Sequence, residues 1–458
     1  MNRKVSLSRI GAIVLFGACG STLLLDQVAC SKEDVPPASQ DTITIGMSAA
    51  LTGGYSGVGK AMAQGAQTAI DLINSKGGVL GRPLRLDVQD DRSSNADDNG
   101  FATLKEVFNG FRDRKVSAII GPGASVQTTE AQKITFPVPI LQISAWSTGV
   151  GISDLQQPWP SRYLYRTAPS DVFQRIAMKK RMQEQVSDGT DGGTKARCSA
   201  PFLVYASDPL GLGFSEYFIP LIGEQNTLKV DTGQQSQYTQ AVQKIRAARP
   251  LPDCVLFVTY EQVTAALIIE LKAQYKPTEK LQLIGTDATY DPGFLRDVGN
   301  LKLVENMIGV VPDTRPRTQS FAAFSRIFHA QSGPGDAADD PPPFASSAFD
   351  AAALIALAIQ KAKTADNAEA IRNALVEVSR GYPADKPGKS GQVQLVRPDS
   401  IALGLSVLAG GGTIDYDGAS GTVDFDEKGD IRSGYVKWEI INGNFVDVDR
   451  FTQDELNE

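Results

Sequence analysis

The chain has 458 residues, with 45 basic and 52 acidic side chains and a formal net charge of −7. At about 150 residues per domain this excludes a single small module. The acidic balance lacks the basic surface that nucleic acids require, and a 42% share of hydrophobic residues excludes a chain that is disordered throughout.

Arg3, Lys4 and Arg9 precede an apolar stretch from Ile10 to Leu25 that ends at Asp26. A positive region, a short apolar region and small residues before a cysteine are the layout of an export signal. The stretch falls short of the roughly 20 apolar residues that a membrane-spanning helix needs. Two cysteines follow small residues, Cys19 after Gly17-Ala18 and Cys30 after Val28-Ala29, and both sequences are similar to the lipid-attachment box of bacterial lipoproteins. Processing at Cys30 leaves Cys198 and Cys254 as an even pair in an oxidising compartment, so residues 1–30 read as a lipoprotein-type signal, with Cys19 as the alternative. Losing Arg3, Lys4, Arg9 and Asp26 leaves 42 basic and 51 acidic residues, a net −9. Attachment to a membrane then falls to acyl chains rather than to a basic patch. Residues 31–41 (SKEDVPPASQD) have the composition of a linker.

From Ile43 the elements alternate. Ile43 to Met47 reads as a strand, Leu51 to Gly59 as a glycine-rich loop, Lys60 to Asn74 as a helix and Leu84 to Val88 as a strand. Asn95 to Phe111 reads as a helix and Val116 to Ile120 as a third strand. The pattern restarts after Pro160, with strands at 201–206, 227–230, 255–260 and 281–284 and helices at 213–225, 238–248 and 262–275. Strands alternating with helices predict parallel sheets covered on both faces, here in two successive doubly wound lobes. Residues 188–199 and 332–343 have loop composition. Cys198 and Cys254 precede the first and third strands of the second lobe. These strands are neighbours in a 2-1-3-4-5 order, so the cysteines read as a disulfide, or else as two reduced, buried small hydrophobes.

Several motifs invite enzymatic readings. Gly54-Tyr-Ser-Gly-Val-Gly59-Lys60-Ala61 follows a phosphate loop up to Ala61, which replaces the hydroxyl that would hold Mg²⁺. It reads instead as a ligand-facing loop with amides suited to an anion. His329 is the single histidine, which leaves too few partners for a zinc site or a triad. Asp424, Asp426 and Asp430 hint at a calcium loop, but Lys428 occupies a ligand position. Asp90 and Asp91 are adjacent on a strand end and point apart, so they read as a turn or helix entry capped by Ser93, Ser94 or Asn95. No catalytic residue, metal site or cofactor is assigned.

Taken in order, ITIGMSAALTGGYSGVGKAMAQGAQTAIDLINSKGGVLGRPLRL, AIIGPGAS, YRTAPSD, LIGTDATYDPGFL, FDAAALIALAIQKA and SGTVDFDEKGDIRSGYV resemble the branched-chain amino-acid-binding (Leu/Ile/Val-binding) proteins of ATP-binding-cassette (ABC) importers, which are type I periplasmic binding proteins. The resemblance runs from about Ile43 to Val446, with insertion-like departures at 188–199 and 381–412. It implies an α/β fold of two doubly wound lobes joined by three hinge crossings, near Tyr163, Val310 and Thr422. One lobe comprises 42–162 plus 311–421 and the other 163–310 plus 422–458. It further implies that Ser125 and Thr148 hold a ligand α-carboxylate, that the Trp146 carbonyl faces its ammonium, that Asp287 pairs with the ammonium and that Tyr260 covers the ligand. Val58 and Leu210 stand at two positions that are aromatic in the family and close over the ligand side chain, with Tyr55 and Trp146 as compensating rings.

The expected function is therefore an exported, lipid-anchored solute receptor. It closes on a small amphipathic solute, an amino acid or a related amide or carboxylate, and delivers it to the membrane subunits of an ABC permease. The alternative is a sensory module that uses the same cleft to signal to a membrane partner.

Overall fold

The computed structural model describes residues 42–93, 99–187, 194–231, 235–275, 281–332, 340–383 and 392–457. The signal segment with Cys19 and Cys30, the linker 31–41, the caps Ser94 and Asn95, and parts of 188–199, 332–343 and 381–412 lie outside the described residues.

Five parallel strands make the first sheet: β1 (Ile43–Ala49), β2 (Leu84–Asp90), β3 (Ala118–Ile120), β4 (Gln142–Ser144) and β5 (Leu164–Arg166), in the order β2-β1-β3-β4-β5. Six of the seven residues of β1 are buried, as a central strand covered on both faces requires. Three helices connect these strands: α1 (Ser56–Asn74), α2 (Ala102–Asp113) and α3 (Ser125–Thr135). The first begins four residues before the expected Lys60, inside the glycine-rich run. The second begins seven residues after the expected Asn95, because Gly100 and Phe101 adopt left-handed backbone with φ of 67° and 65°, which a right-handed helix cannot continue through.

After β5 comes α4 (Asp171–Gln183), then an antiparallel hairpin of β6 (Gln185–Ser187) and β7 (Thr194–Ala196). Part of the segment read as loop, 194–196, is thus a strand. The second sheet is built from β8 (Pro201–Ala206), β9 (Thr227–Val230), β10 (Cys254–Val258), β11 (Gln282–Gly285) and β12 (Ile308–Pro312), interleaved with α5 (Pro209–Ile222), α6 (Gln235–Ala247), α7 (Glu261–Gln274) and α8 (Pro292–Val298). Then follow α9 (Gln319–Ser332), α10 (Ala345–Ala362), α11 (Ala368–Arg380), β13 (Val393–Val396), α12 (Ile401–Ala409), β14 (Thr413–Gly418) and β15 (Gly421–Thr422). The segment 381–412 therefore carries a strand and a helix, and β13 pairs in parallel with β14. Two long strands, β16 (Tyr435–Ile441) and β17 (Asn444–Phe451), close the second sheet in the order β17-β16-β12-β11-β10-β8-β9, with β16 antiparallel to β12.

By sheet membership the chain leaves the first sheet after Arg166, leaves the second after Pro312 and rejoins it at Tyr435. Almost every residue of α10 is buried, from Ala345 to Gln360, and this helix packs along α1. A mostly apolar helix buried on all sides, with its Asp350 held by Tyr416 and the Ala419 and Ser420 amides, is a core element. Among the described residues no helix is long and apolar enough to cross a membrane.

The neighbouring of β8 and β10 places Cys254 opposite Pro201, and a disulfide joins Cys198 to Cys254 with their Cα atoms 5.6 Å apart. The bond closes a loop across 56 residues, and such links act chiefly by restricting the unfolded chain. Cys254→Ser should therefore lower stability by about 2 to 4 kcal/mol in denaturant titrations. The wild type in reductant should approach the same midpoint, and equal midpoints for oxidised wild type and variant would refute the role.

Candidate ligand-binding cleft

The loops that follow the carboxyl ends of the strands in each sheet converge, as ligand sites in open α/β sheets do. On the first side, Gly121 to Ala124 lead from β3 into α3, whose first residue is Ser125. The Ser125 hydroxyl accepts the Gly149 amide at 3.0 Å, which leaves its hydrogen available to an incoming acceptor. The loop carrying Trp146 and Thr148 is held by hydroxyls. Ser144 Oγ donates to the Pro122 carbonyl at 2.7 Å, and Ser147 Oγ donates to the Gly123 carbonyl at 2.8 Å.

The same loop is fixed from beneath by Arg166, at the end of β5. Its side chain is 1% exposed. Nε and Nη2 grip the Asp430 carboxylate at 2.7 and 3.0 Å, Nη1 donates to the carbonyls of Ser147 and Gly149, and Nη2 also reaches Ser153 Oγ. All five guanidinium donors are thereby engaged. Burial alone would raise the Asp430 carboxyl, but Arg166 holds it below the usual carboxylate range. The acidic run read as a rejected calcium loop is therefore a turn, in which Asp426 accepts the Lys428 and Asp430 amides at 2.8 and 3.0 Å.

The glycine-rich loop is tied to β2 by the residues read as a capped turn. Asp90 accepts the amides of Leu51 and Thr52, and Ser93 Oγ accepts the Tyr55 amide at 3.0 Å. Asp91 is fully buried and accepts Ser48 Oγ at 2.8 Å; burial pushes its carboxyl up to about 6 against the hydrogen bonds it receives. The amides of Leu51, Thr52 and Tyr55 are thus committed within the protein. What the loop delivers is the Tyr55 ring. It lies 5.5 Å from Trp146 and 5.4 Å from Tyr260, centroid to centroid, and joins rings carried by the two sheets. Contacts at these separations are favourable for aromatic pairs.

On the second side, Tyr260 precedes α7 and is 7% exposed, and Asp287 begins a short 3-10 turn after β11 and is 6% exposed. Burial pushes the Asp287 carboxyl up to about 6. A second acid joins it. Asp171, the first residue of α4, is fully buried; its amide donates to the Thr148 carbonyl at 2.8 Å, and burial together with the Asp287 carboxylate drives its own carboxyl well above the ordinary range against the pull of Arg166. No hydrogen bond of normal geometry reaches either oxygen of Asp171 or Oδ1 of Asp287, although the Thr148 and Gln174 side chains lie near enough to offset part of the rise at Asp171 and Asp287 respectively. Two buried acids set beside one another at such an energetic disadvantage make this place a candidate site.

Ser125, Trp146 and Thr148 thus lie on one side of the cleft and Tyr260 and Asp287 on the other. Val58 lines a cavity of about 220 Å³ with Ala61, Tyr290, Asp291, Arg296 and Pro342, residues drawn from both sides. Leu210, 3% exposed, packs in a cluster with Phe214 and Tyr260. The sequence reading passed over Asp171, although it is the last residue of the quoted YRTAPSD stretch.

A fold of two parallel-sheet lobes with ligand-type loops meeting between them is that of the type I periplasmic binding proteins. Residues 61–442 match the model of the receptor family ligand binding region, and the chain belongs to that family. A leucine binding protein from Thermotoga maritima MSB8 superposes with a TM-score of 0.65 at 18% identity, covering 90% of this chain and 99% of that one. A solute binding protein of an ABC transporter from R. palustris in complex with benzoate gives 0.63 at 15% identity, covering 90% and 96%. The Leu/Ile/Val-binding protein BraC3 of Rhizobium johnstonii is 47% identical over 55 residues, 12% of this chain and only 15% of that protein's length.

Replacing Arg166 with Met should leave Asp430 and two loop carbonyls unpaired in the interior. A loss of about 3 to 5 kcal/mol in chemical denaturation is expected, and the paired Arg166→Met/Asp430→Leu variant should recover much of it. A loss below about 1 kcal/mol for the single change, the range of an exposed pair, would contradict the assignment.

Proposed function

We propose that the protein is the solute-binding receptor of an ABC importer. In this reading it captures a small amphipathic solute, an amino acid, between two lobes (42–162 plus 311–421, and 163–310 plus 422–458) that close by hinge motion and deliver the solute to a membrane permease. Residues 1–30 direct export, and Cys30, or Cys19, carries the lipid anchor.

The observation that carries the choice of solute is the pair of buried acids, Asp171 and Asp287, three of whose four carboxyl oxygens make no hydrogen bond of normal geometry. A ligand ammonium placed against them satisfies both the missing hydrogen bonds and the unbalanced charge. Its carboxylate then meets the Ser125 and Thr148 hydroxyls and the amino end of the 11-residue helix α3, where backbone amides and the helix dipole favour an anion. Trp146, Tyr55 and Tyr260 cover the rest. A benzoate-like acid brings no cation to this place, so the reading sides with the amino-acid-binding relatives. Contacts to both lobes supply the differential affinity that shifts the population toward the closed form.

Refolded protein freed of carried-over ligand should show a thermal shift with one or more of the twenty amino acids and none with benzoate, since ligand at 100 times its Kd stabilises by about 2.7 kcal/mol. The reverse pattern would discard the ammonium site. For an amino acid that binds, Asp287→Ala should cost about 2 to 5 kcal/mol of affinity by calorimetry.

The pH dependence has a definite sign. The free Asp287 carboxyl titrates near 6 and its ordinary value is 3.8. A bound ammonium favours the charged form, so binding releases a proton within this window and affinity falls as the pH drops below about 6. Calorimetry in buffers of different ionisation enthalpy should register that proton at pH 5 to 6, and zero release there would contradict the contact.

A further inference from the structure

Two glycines on opposite walls of the cleft, Gly57 and Gly213, have no backbone reason to be glycine. Neither adopts a left-handed φ. Both lie inside helices, α1 and α5, where glycine is a poorer choice than alanine. What they avoid is the opposite wall. A Cβ at Gly57 would stand 2.7 Å from Asp291 Oδ2, and its three nearest neighbours all belong to Asp291, the residue that caps α8 on the second sheet. A Cβ at Gly213 would stand 2.9 Å from Cγ2 of Val150, with its nearest neighbours all on that residue, which opens the 3-10 turn Val150–Asp154 after the strands of the first sheet. A third glycine, Gly54, would bring a Cβ 3.1 Å from Gln262 Nε2 of α7.

The direction of these contacts alternates. Gly57 belongs to the first sheet and meets the second, whereas Gly213 belongs to the second and meets the first. Each wall therefore presents a bare helical backbone where the other presents a side chain. Cβ contacts under 3.0 Å force something to shift, and Val150, being branched at Cβ, has little freedom to do so.

We propose that Gly57 and Gly213 are positioning residues for closure, their missing side chains allowing the two lobes to meet over the ligand with Asp291 and Val150 as the stops they reach. The proposal rests on the reading of two lobes that close and deepens it by naming where they touch.

The test uses Gly57→Ala and Gly213→Ala in the full-length protein. Without ligand their thermal midpoints should equal or exceed that of the wild type, because the open form has no opposing wall and alanine favours both helices. With L-leucine as the probe, affinity should fall about tenfold or more, as overpacking an interface requires. Adding Asp291→Ser to Gly57→Ala, which shortens the stop and keeps a capping hydroxyl for α8, should restore most of it. A lowered ligand-free midpoint would show that the contact belongs to the static fold and would overturn the proposal, as would unchanged affinity.

A ligand-independent measurement separates this outcome from failure of the amino-acid reading. The double variant Gly57→Cys/Asp291→Cys, treated with diamide in the absence of ligand, should cross-link far faster than either single variant, read by peptide mass mapping. Cross-linking without leucine binding would discard the solute and keep the closure contact. Absence of cross-linking would discard the contact itself.

Discussion

The buried Arg166 guanidinium is the constraint on which the cleft depends. It lies at the end of an interior strand, sealed from water, and a charge there is tolerable only if every donor finds an acceptor. Asp430 supplies the opposite charge from a segment 264 residues away, and the carbonyls of Ser147 and Gly149 complete the set. Because those carbonyls belong to the loop that presents Trp146 and Thr148, and because the Gly149 amide in turn holds Ser125 Oγ, a single cation fixes three candidate ligand contacts together. Its neighbour Arg162 does related work, donating to the carbonyls of Ile152, Ser153, Gln156 and Leu164. The first wall is accordingly rigid, and movement between walls must be taken up where the chain passes from one sheet to the other outside this network.

The fold was legible in the sequence wherever burial on both faces left a mark on composition. The strand Pro201–Ala206 is found where the run PFLVYA placed it, because parallel strands buried on both sides are continuous apolar runs that few other elements imitate; the edge strand Thr227–Val230 also stands where it was expected. Strand order together with an exported compartment made Cys198 and Cys254 a candidate disulfide beside the reduced alternative, and the bond is present. Less legible were boundaries decided by single backbone angles. The start of α2 depends on left-handed Gly100 and Phe101, and no propensity scale anticipates a phenylalanine there. The β6–β7 hairpin was hidden because Thr194–Ala196 is short, exposed and embedded in glycine and aspartate.

The candidate site divided along a different line. Resemblance named residues by position, but the properties that would make them chemically pointed are three-dimensional. Nothing in YRTAPSD distinguishes Asp171 from a helix-initiating aspartate, and it does begin a helix, next to the capping Ser170. Only its complete burial, beside a second buried acid and without a hydrogen bond of normal geometry, marks it out. In the opposite sense Asp90 and Ser93 looked like a local turn and are in fact the anchors that aim Tyr55 at Trp146 and Tyr260.

The two walls also differ in kind. The first offers hydroxyls, amides and a helix amino end, all neutral groups that lose little when exposed to water. The second contributes Asp287, which meets Asp171 in the buried region between them. Burial raises both carboxyls, so these acids are held at a cost that a cation placed between them would relieve. On the proposed reading a zwitterion relieves that cost at one end while engaging the neutral donors at the other, and the charge pattern, more than aromatic contact through Tyr55, selects the solute.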